Sequence, residues 1–282
     1  MGLNMIKAKA RSAPAKALYS LFILFITFIW AVPLLMIVFN AFKSKQDIAS
    51  NPNGPPQRIV WSNIPEAFSR GDYAESFKNS ALITVTATVL TIVICAGAAY
   101  AISRNAGARW SKFLYVVFLA GMMIPGGLMM TANYKLLRTL SLLNTPMAGI
   151  FLNVAASIPL IVFLYAGFVK TIPRELDESA VMDGCSGLRT FWSIVFPLMK
   201  PVTSTAIILS APVYFNDFIN PLLYMNRVKT VTYSLYTFRS KYITEWEMIF
   251  AGVLLSSIPL VVVFLIFQSK FEKGLVAGAV KG

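Results

Sequence analysis

Histidine is absent from this sequence, and cysteine is nearly so, with 2 residues among 282. Because His and Cys are the usual donors of transition-metal sites, we do not expect a metal-dependent active site. Cys95 lies in an apolar run and Cys185 in a polar stretch, so we predict neither a bond between them nor a disulfide framework. A phosphate-binding loop of the form GxxxxGKS or GxxxxGKT is also missing, so this chain is not expected to hydrolyse ATP.

Acidic residues are scarce: 12 Asp and Glu stand against 25 Lys and Arg, for a formal net charge of +13. A nucleic-acid-binding protein with such an excess presents a continuous basic face. Here the basic residues are scattered between apolar runs, so no nucleic-acid partner is predicted. Lys and Arg at the ends of apolar helices are typical of membrane proteins instead.

Apolar residues make up 57% of the chain, and the mean hydropathy is +0.67. Several apolar runs have the length of about 20 residues that spans a bilayer as a helix. We therefore predict an all-α membrane protein with six transmembrane helices in a single domain, residues 1–282. The first run is too long for a signal peptide and lacks its cleavage site, so it is interpreted as an uncleaved span. The predicted spans are about 17–42, 81–103, 113–132, 147–168, 202–224 and 248–268.

Five of the six predicted spans are interrupted by internal proline, and the span 202–224 has Pro221 in addition to Pro212. In lipid, the backbone groups that a proline frees must be satisfied by neighbouring helices or water, which indicates a packed bundle or a transport pathway. Proline is also common in membrane helices in general, so no single one is given a role. Apart from Pro221, these prolines are Pro33, Pro125, Pro159, Pro212 and Pro259.

The charge distribution favours one orientation in the membrane. If residues 1–16 are cytoplasmic, the connections 104–112 and 169–201 and the tail after residue 268 are cytoplasmic as well. That arrangement puts fourteen Lys and Arg inside and eleven outside, or fourteen against six without the long 43–80 connection. Positive charge is concentrated on the cytoplasmic side of membrane proteins, so both termini are predicted to be cytoplasmic.

A polar stretch at residues 175–201 interrupts the apolar runs, with four of the twelve acids inside residues 175–183. Pro173 and the carboxylates that follow it are typical of a helix N-terminus, where negative charge complements the helix dipole. A short helix is therefore predicted to begin here.

Two glycines then allow a sharp change of direction at Gly184 and Gly187. A second short helix is predicted over residues 188–196, ending before Pro197. We call the helix–turn–helix segment 175–196 the hook. A solvated interfacial loop with amphipathic helices is the ordinary interpretation of such a composition, and only the spacing of its residues argues for more.

That spacing resembles the EAA signature of ABC importer permeases, which reads E-A-A-x-x-D-G, then I-x-L-P and a further proline. The matching run is ESAVMDG, from Glu178 to Gly184, with Ile194, Pro197 and Pro201 downstream. Three positions depart from the signature by small or apolar replacements: Ser179 for Ala, Cys185 for Ala and Phe196 for Leu.

The resemblance implies the type I ABC importer permease fold, with the hook as a cytoplasmic coupling helix inside the loop 169–201. In that family the coupling helix docks in a cleft of an ATP-binding subunit and carries its closure into the membrane. Glu178 would then pair with a basic residue of the ATPase, Ala180 would allow a close approach and Gly184 would set the turn. The full set expected at this contact is Glu178, Ser179, Ala180, Asp183, Gly184 and Pro197.

Other stretches are similar to the maltose-type, carbohydrate-importing branch of the family: residues 40–43, residues 78–80, the pair Asn216 and Asp217, and the C-terminal run from Gly274. This similarity implies import of a sugar, of oligosaccharide size, by alternating access. In that branch the C-terminal tail enters the ATPase dimer interface, which would place five residues there: Gly278, Ala279, Val280, Lys281 and Gly282.

The resemblance also implies the partners of the chain. They are a second, homologous permease subunit in a heterodimer, two ATP-binding subunits and an extracytoplasmic sugar-binding protein, assembled in a bacterial cytoplasmic membrane. ATP and Mg would be bound by the ATPase subunits, and no cofactor is expected on this chain.

Asp217 is the only acid inside a predicted span, and an intramembrane carboxylate is costly unless it is paired or hydrated. Asp217 and Asn216 either contact sugar hydroxyls in the translocation pathway or hold helices together, and the sequence favours the second interpretation slightly. Phe215 replaces the tryptophan that the family has before this pair. Tyr214 and Asn220 are further pathway candidates.

Two other classes of function remain as alternatives. An ion-coupled secondary transporter or channel would need relays of ionisable residues inside the membrane, for which Asp217 alone is little support. A membrane-embedded enzyme would need histidine or grouped carboxylates within the spans, and the sequence has neither.

Overall fold

The computed structural model describes residues 13–239 and 244–279, with side chains for 18–239 and 244–265. Its elements in those ranges are helices, which confirms the all-α prediction. In chain order they are α1 (Ala13–Ala41), α2 (Lys45–Ser50), α3 (Asn63–Arg70), α4 (Tyr73–Arg104), α5 (Arg109–Gly121), a 3₁₀ turn (Gly126–Met129), α6 (Met130–Thr139), α7 (Pro146–Val169), α8 (Glu175–Met182), α9 (Gly187–Thr190), a π-helical turn (Phe191–Val195), α10 (Phe196–Leu198), α11 (Lys200–Phe215), α12 (Ile219–Tyr224), α13 (Val231–Thr237) and α14 (Trp246–Ala279).

Among the described residues, 4 helices are long and apolar enough to cross a membrane, and they lie in α1, α4, α7 and α14. Two bent pairs could each supply one more span, which gives up to 6 by length and composition and agrees with the six predicted spans. The first pair is α5 with the segment Gly126–Thr139, bent by 98°, and the second is Gly187–Leu198 with α11, bent by 76°.

Two of the predicted spans are wrong in their extent, because the chain bends within them. The continuous span expected at 113–132 is divided, because α5 ends at Gly121 and Pro125 precedes the next helical turn. Proline disfavours the helical conformation of the residue before it, so Ile124 is a natural break. The span expected at 202–224 ends at Phe215, and residues 219–224 form the separate helix α12. The other four prolines lie inside α1, α7, α11 and α14, as predicted.

The chain forms two compact units, one of residues 13–67 with 244–255 and one of residues 68–239 with 256–279. The prediction of one domain over 1–282 stays a prediction. In the first unit, the Nδ2 of Asn63 donates to the carbonyls of Ala41 and Lys43 at 3.0 and 2.8 Å. The Nζ of Lys43 donates in turn to the carbonyl of Asn51 at 2.5 Å. These bonds order the polar segment that follows α1.

The core of the second unit lies where α4 packs against α7. The side chains that α4 buries there are small, with Ala96 and Ala99 at 0% exposure, so the two backbones approach closely. The same cluster takes in residues of α11 and of the second arm of the hook. Its buried members include Cys95, Ile102, Ile161, Val162, Tyr165, Ala166, Val169, Phe191, Val195, Met199, Val202 and Ala206.

Enlarging a small residue at this contact should destabilise the protein. Ala99→Leu is expected to cost about 1 to 3 kcal/mol, because the added methylenes must displace α7 or force strained rotamers. Val89→Leu is the matched control, since Val89 is 53% exposed on the same helix. We expect the thermal midpoint of the purified protein to fall for Ala99→Leu and to stay near wild type for Val89→Leu. Equal midpoints would contradict the packing described for α4 and α7.

Candidate functional site

The first arm of the hook is α8, which begins at Glu175, where the acidic residues predict a helix N-terminus. Glu175, Asp177 and Glu178 all lie in its first turn, near the positive end of the helix dipole. Ser179 donates its hydroxyl to the carbonyl of Glu175 at 2.7 Å, a local bond within the helix. Ala180 is 3% exposed and faces the rest of the unit. A larger side chain at Ala180 would push the arm outward.

The turn of the hook is a helix C-cap that requires glycine. Asp183 is the capping residue, and Gly184 follows with φ of +78°, in the left-handed region. The N–H of Gly184 donates to the carbonyl of Val181, and the N–H of Cys185 donates to the carbonyl of Ala180, both at 2.9 Å. This pair of bonds is the Schellman motif, which satisfies the last carbonyls of a helix. The turn predicted at Gly184 is present for that reason.

The second arm differs from the regular helix predicted over 188–196. Ser186 caps its start by accepting a hydrogen bond from the N–H of Arg189 at 3.4 Å, and Phe191–Val195 then form a π-helical turn. Pro197 has no N–H to donate to the α-helical pattern, so an irregular turn just before it is expected. The rings of Phe191 and Trp192 pack edge to face at 4.8 Å between centroids.

The outer surface of the hook exposes several apolar side chains beside Glu178. Glu178 is exposed, and its carboxylate makes no hydrogen bond or ion pair among the described residues. Beside it Val181, Met182 and Leu188 are 62, 87 and 75% exposed. We call Glu178, Val181, Met182 and Leu188 the hook face. Large exposed apolar side chains beside polar ones are typical of a protein contact.

The sequence predicted Glu178 within this surface and missed its apolar members. The available signal was the presence of Val181, Met182 and Leu188 inside an otherwise polar loop. Pro197 is exposed and lies apart from the turn, in α10. In the described ranges, no group of three or more His, Cys, Asp or Glu is arranged to hold a metal ion.

The second candidate cluster surrounds Asp217, just after α11. Its Oδ2 accepts a hydrogen bond from the Nδ2 of Asn220 at 2.7 Å, and its Oδ1 accepts one from the N–H of Asn220 at 3.2 Å. The Nδ2 of Asn220 also lies 3.5 Å from the Oδ1 of Asn153 in α7. The carbonyl of Asp217 accepts the hydroxyl of Thr232 at 2.5 Å. The carboxylate thus caps α12 and lies close to the Asn220 contact with α7.

The remaining pathway candidates point in different directions. Tyr214 is buried, and its hydroxyl hydrogen-bonds to that of Thr91 in α4 at 2.9 Å. Asn216 is exposed at the end of α11. The cavity that Tyr214 and Asp217 help to line has a volume of about 10 Å³, room for roughly one water molecule. Within the described part of the chain, these residues enclose no space of the size of a sugar.

The predicted tail contact lies mostly outside the described residues. Gly278 and Ala279 are the last residues of α14, and Val280, Lys281 and Gly282 fall beyond the described range. The role of the tail stays a prediction.

Replacing Gly184 tests the turn of the hook. Gly184→Ala should cost about 1 kcal/mol, because a residue with a Cβ is strained in the left-handed region even though the space around Gly184 is open. Gly187→Ala is the control, since Gly187 also has open space but no positive φ. Limited proteolysis should cut Gly184→Ala faster within residues 182–188 and leave Gly187→Ala near wild type. Identical cleavage of the two variants would contradict the cap.

Asp217→Asn separates the two interpretations of the polar cluster. The new amide has only one oxygen, so its NH₂ would face either the Nδ2 or the backbone N–H of Asn220, and we expect a loss of stability of about 1 to 2 kcal/mol and a lower yield of purified protein. The KM for the transported solute should stay at its wild-type value. A raised KM with unchanged yield would instead support contact between Asp217 and the solute.

Comparison with known proteins finds relatives along most of the chain. Residues 92–276 match the family model described as "Binding-protein-dependent transport system inner membrane component". The chain is 34% identical over 254 residues to the melibiose/raffinose/stachyose import permease protein MelC of Bacillus subtilis strain 168, covering 89% of this chain and 91% of the relative. It is 30% identical over 259 residues to the probable starch degradation products transport system permease protein AmyC of Thermoanaerobacterium thermosulfurigenes, covering 91% and 93%.

A solved structure shares the fold. It is a bacterial ABC transporter involved in the import of the acidic polysaccharide alginate, and one of its chains is similar with a TM-score of 0.74 and 20% identity. The similarity covers 90% of this chain and 95% of that one, which confirms the predicted importer permease fold. The family model extends through α7, the hook and α11, the elements that build the candidate sites. The chain therefore belongs to the family of inner membrane components of binding-protein-dependent transport systems.

Proposed function

We propose that this chain is the permease subunit of an ATP-driven importer that carries a sugar, of oligosaccharide size, from an extracytoplasmic binding protein into the cytoplasm by alternating access. The observation that carries the proposal is the hook face, a surface built on a helix cap with its one carboxylate unpaired in the described structure. The relatives named for melibiose, raffinose, stachyose and starch products support the choice of a sugar.

The hook face has the features that docking to an ATP-binding subunit requires. Met182 and Leu188 offer apolar area at the tip, and Glu178 offers a charge that a basic residue of the ATPase would pair with. The two capped arms hold these side chains on rigid helices, so a force applied at the tip is not lost in a flexible loop. Such preorganisation lowers the entropy lost on binding. ATP and Mg would be held by the ATPase pair, and this chain would break no bond.

The spans leave apolar surface that lipid or another subunit must cover. Val85 and Val89 of α4 and Val213 of α11 are 62, 53 and 62% exposed. A second, homologous permease would cover part of this surface and line the pathway together with this chain. The assembly would contain the heterodimer, two ATP-binding subunits and the binding protein, in a bacterial cytoplasmic membrane with both termini of this chain cytoplasmic.

Reconstitution of the complex in vesicles tests the function. Uptake of labelled raffinose or a short starch oligosaccharide should require internal ATP, the ATPase subunits and the binding protein. Vesicles with this chain alone should show no uptake. Uptake by the chain alone, driven by an ion gradient, would establish the secondary-transporter alternative and overturn the proposal.

Charge reversal at Glu178 tests the docking surface. Glu178→Lys should reduce ATP-driven uptake at least tenfold, because the new ammonium would face the basic residue expected on the ATPase. Glu175→Lys is the matched control, with the same change of charge one turn further from the tip, and should retain more than half of the uptake. Copurification of the ATPase subunits measures docking directly. Wild-type uptake by the Glu178→Lys variant would show that Glu178 does not contribute to the contact with the ATPase.

A further inference from the structure

Asp177 and Glu178 are neighbours in α8 but face different surroundings. Glu178 is exposed on the hook face, whereas the Asp177 side chain is 17% exposed and points toward the last turn of α4. Its Oδ2 lies 2.7 Å from the Nη2 of Arg104, and its Oδ1 accepts a hydrogen bond from the hydroxyl of Tyr100 at 2.5 Å. The Asp177 carboxylate thus contacts two residues one turn apart on α4, Tyr100 through a hydrogen bond and Arg104 through an ion pair.

Backbone contacts reinforce this connection from both sides. Arg104 donates its Nη1 to the carbonyl of Ile172, at 3.1 Å, in the segment that leads into α8. In the reverse direction, Arg174 donates its Nη2 to the carbonyl of Arg104 at 3.1 Å and to that of Ser103 at 3.4 Å. The guanidinium of each arginine therefore crosses the junction between α4 and the hook.

Tyr100 also contacts the second arm of the hook. Its ring lies 5.1 Å from that of Phe191, centroid to centroid, and Phe191 is 4% exposed within the core. The Arg104 guanidinium lies 5.8 Å above the Tyr100 ring. Both arms of the hook are therefore held by the same end of α4.

The ion pair between Arg104 and Asp177 is more shielded from solvent than a surface ion pair. The Arg104 and Asp177 side chains are 13 and 17% exposed, whereas the side chains of another ion pair, Lys229 and Asp72, are 43 and 49% exposed. Exposed pairs hold groups together weakly, but removing one partner of a shielded pair leaves the other without compensation. Arg104 also contacts the carbonyl of Ile172 with its Nη1 and Asp177 with its Nη2. The single ammonium group of a lysine cannot make both contacts with this geometry.

We propose that Tyr100, Arg104 and Asp177 form a rigid joint that makes the hook and α4 move as one body. Closure of the ATPase on the hook face then displaces α4, the helix against which α7 and α11 pack, instead of bending the segment 170–174. Asp177 and Arg104 are positioning residues, since neither faces the ATPase. The inference rests on the proposed function, because it requires an ATPase that moves the hook.

The first experiment measures coupling in the reconstituted complex. Asp177→Asn and Arg104→Lys should raise the number of ATP molecules hydrolysed per sugar imported at least threefold, because movement of the hook would no longer be fully transmitted to α4. Tyr100→Phe, which loses one hydrogen bond and keeps the ring, should give a smaller rise. Glu175→Gln, an exposed acid on the same helix, is the control and should keep the wild-type ratio. Wild-type ratios for Asp177→Asn and Tyr100→Phe would overturn the proposal.

The second experiment measures rigidity directly. Spin labels are attached at the native Cys185, in the hook, and at Ala101→Cys, on an exposed position of α4, with buried Cys95 replaced by Ala. The distance between the labels should be the same in the nucleotide-free and ATP-trapped complexes, and it should differ between those two states after Asp177→Asn. A change of distance in the otherwise wild-type complex would show that the joint bends.

The two proposals fail in distinguishable ways. If the wild-type complex shows no ATP-dependent uptake, the proposed function is wrong, whatever the distances are. If the wild-type complex imports sugar with ATP and Asp177→Asn does so at the same ATP cost, only the joint is wrong. Should Asp177→Asn not assemble, Tyr100→Phe decides the question, since its ring keeps the contact with Phe191.

Discussion

Close contact between α4 and α7 is the interaction on which the described structure depends. Lipid chains are as apolar as leucine, so the hydrophobic effect does not bring membrane helices together, and association relies on van der Waals contact between backbones that approach closely. The fully buried Ala96 and Ala99 allow that approach. The second arm of the hook joins the same core through Phe191 and Val195. The position of the hook is therefore set by helices inside the membrane.

The proposed function places two opposite demands on the hook. Its outer face would have to leave Glu178 and Met182 available to the ATPase, while its inner face would have to hold α4 tightly enough to transmit force. A helix resolves the conflict because successive side chains point about 100° apart, so Asp177 can be shielded while Glu178 stays exposed. The left-handed conformation of Gly184 ends the first arm and turns the chain into the second arm.

Much of the fold could be predicted from the sequence. Lipid requires the backbone to satisfy its own hydrogen bonds, so long apolar runs can be little else than helices, and α1, α4, α7 and α14 match the predicted spans within a few residues, apart from extensions of α4 and α14. The division of the third span could not be placed, since proline interrupts some helices and is accommodated in others. Pro125 lies in a break, whereas Pro159 lies inside α7. Which outcome occurs depends on the neighbours of each proline.

The candidate sites likewise have some features that follow from local sequence and others that depend on tertiary packing. The sequence by itself determined the helical class, the length of the hook and the need for glycine at position 184, because each depends on local backbone chemistry and on hydrophobicity. Only the tertiary structure decided the partners of the acids. Asp177 receives the Tyr100 hydroxyl from 77 positions away, and Asn220, the partner of Asp217, lies 3.5 Å from Asn153, 67 positions earlier in the chain. A carboxylate is equally polar in both settings, so its role follows from which groups the packed helices bring to it.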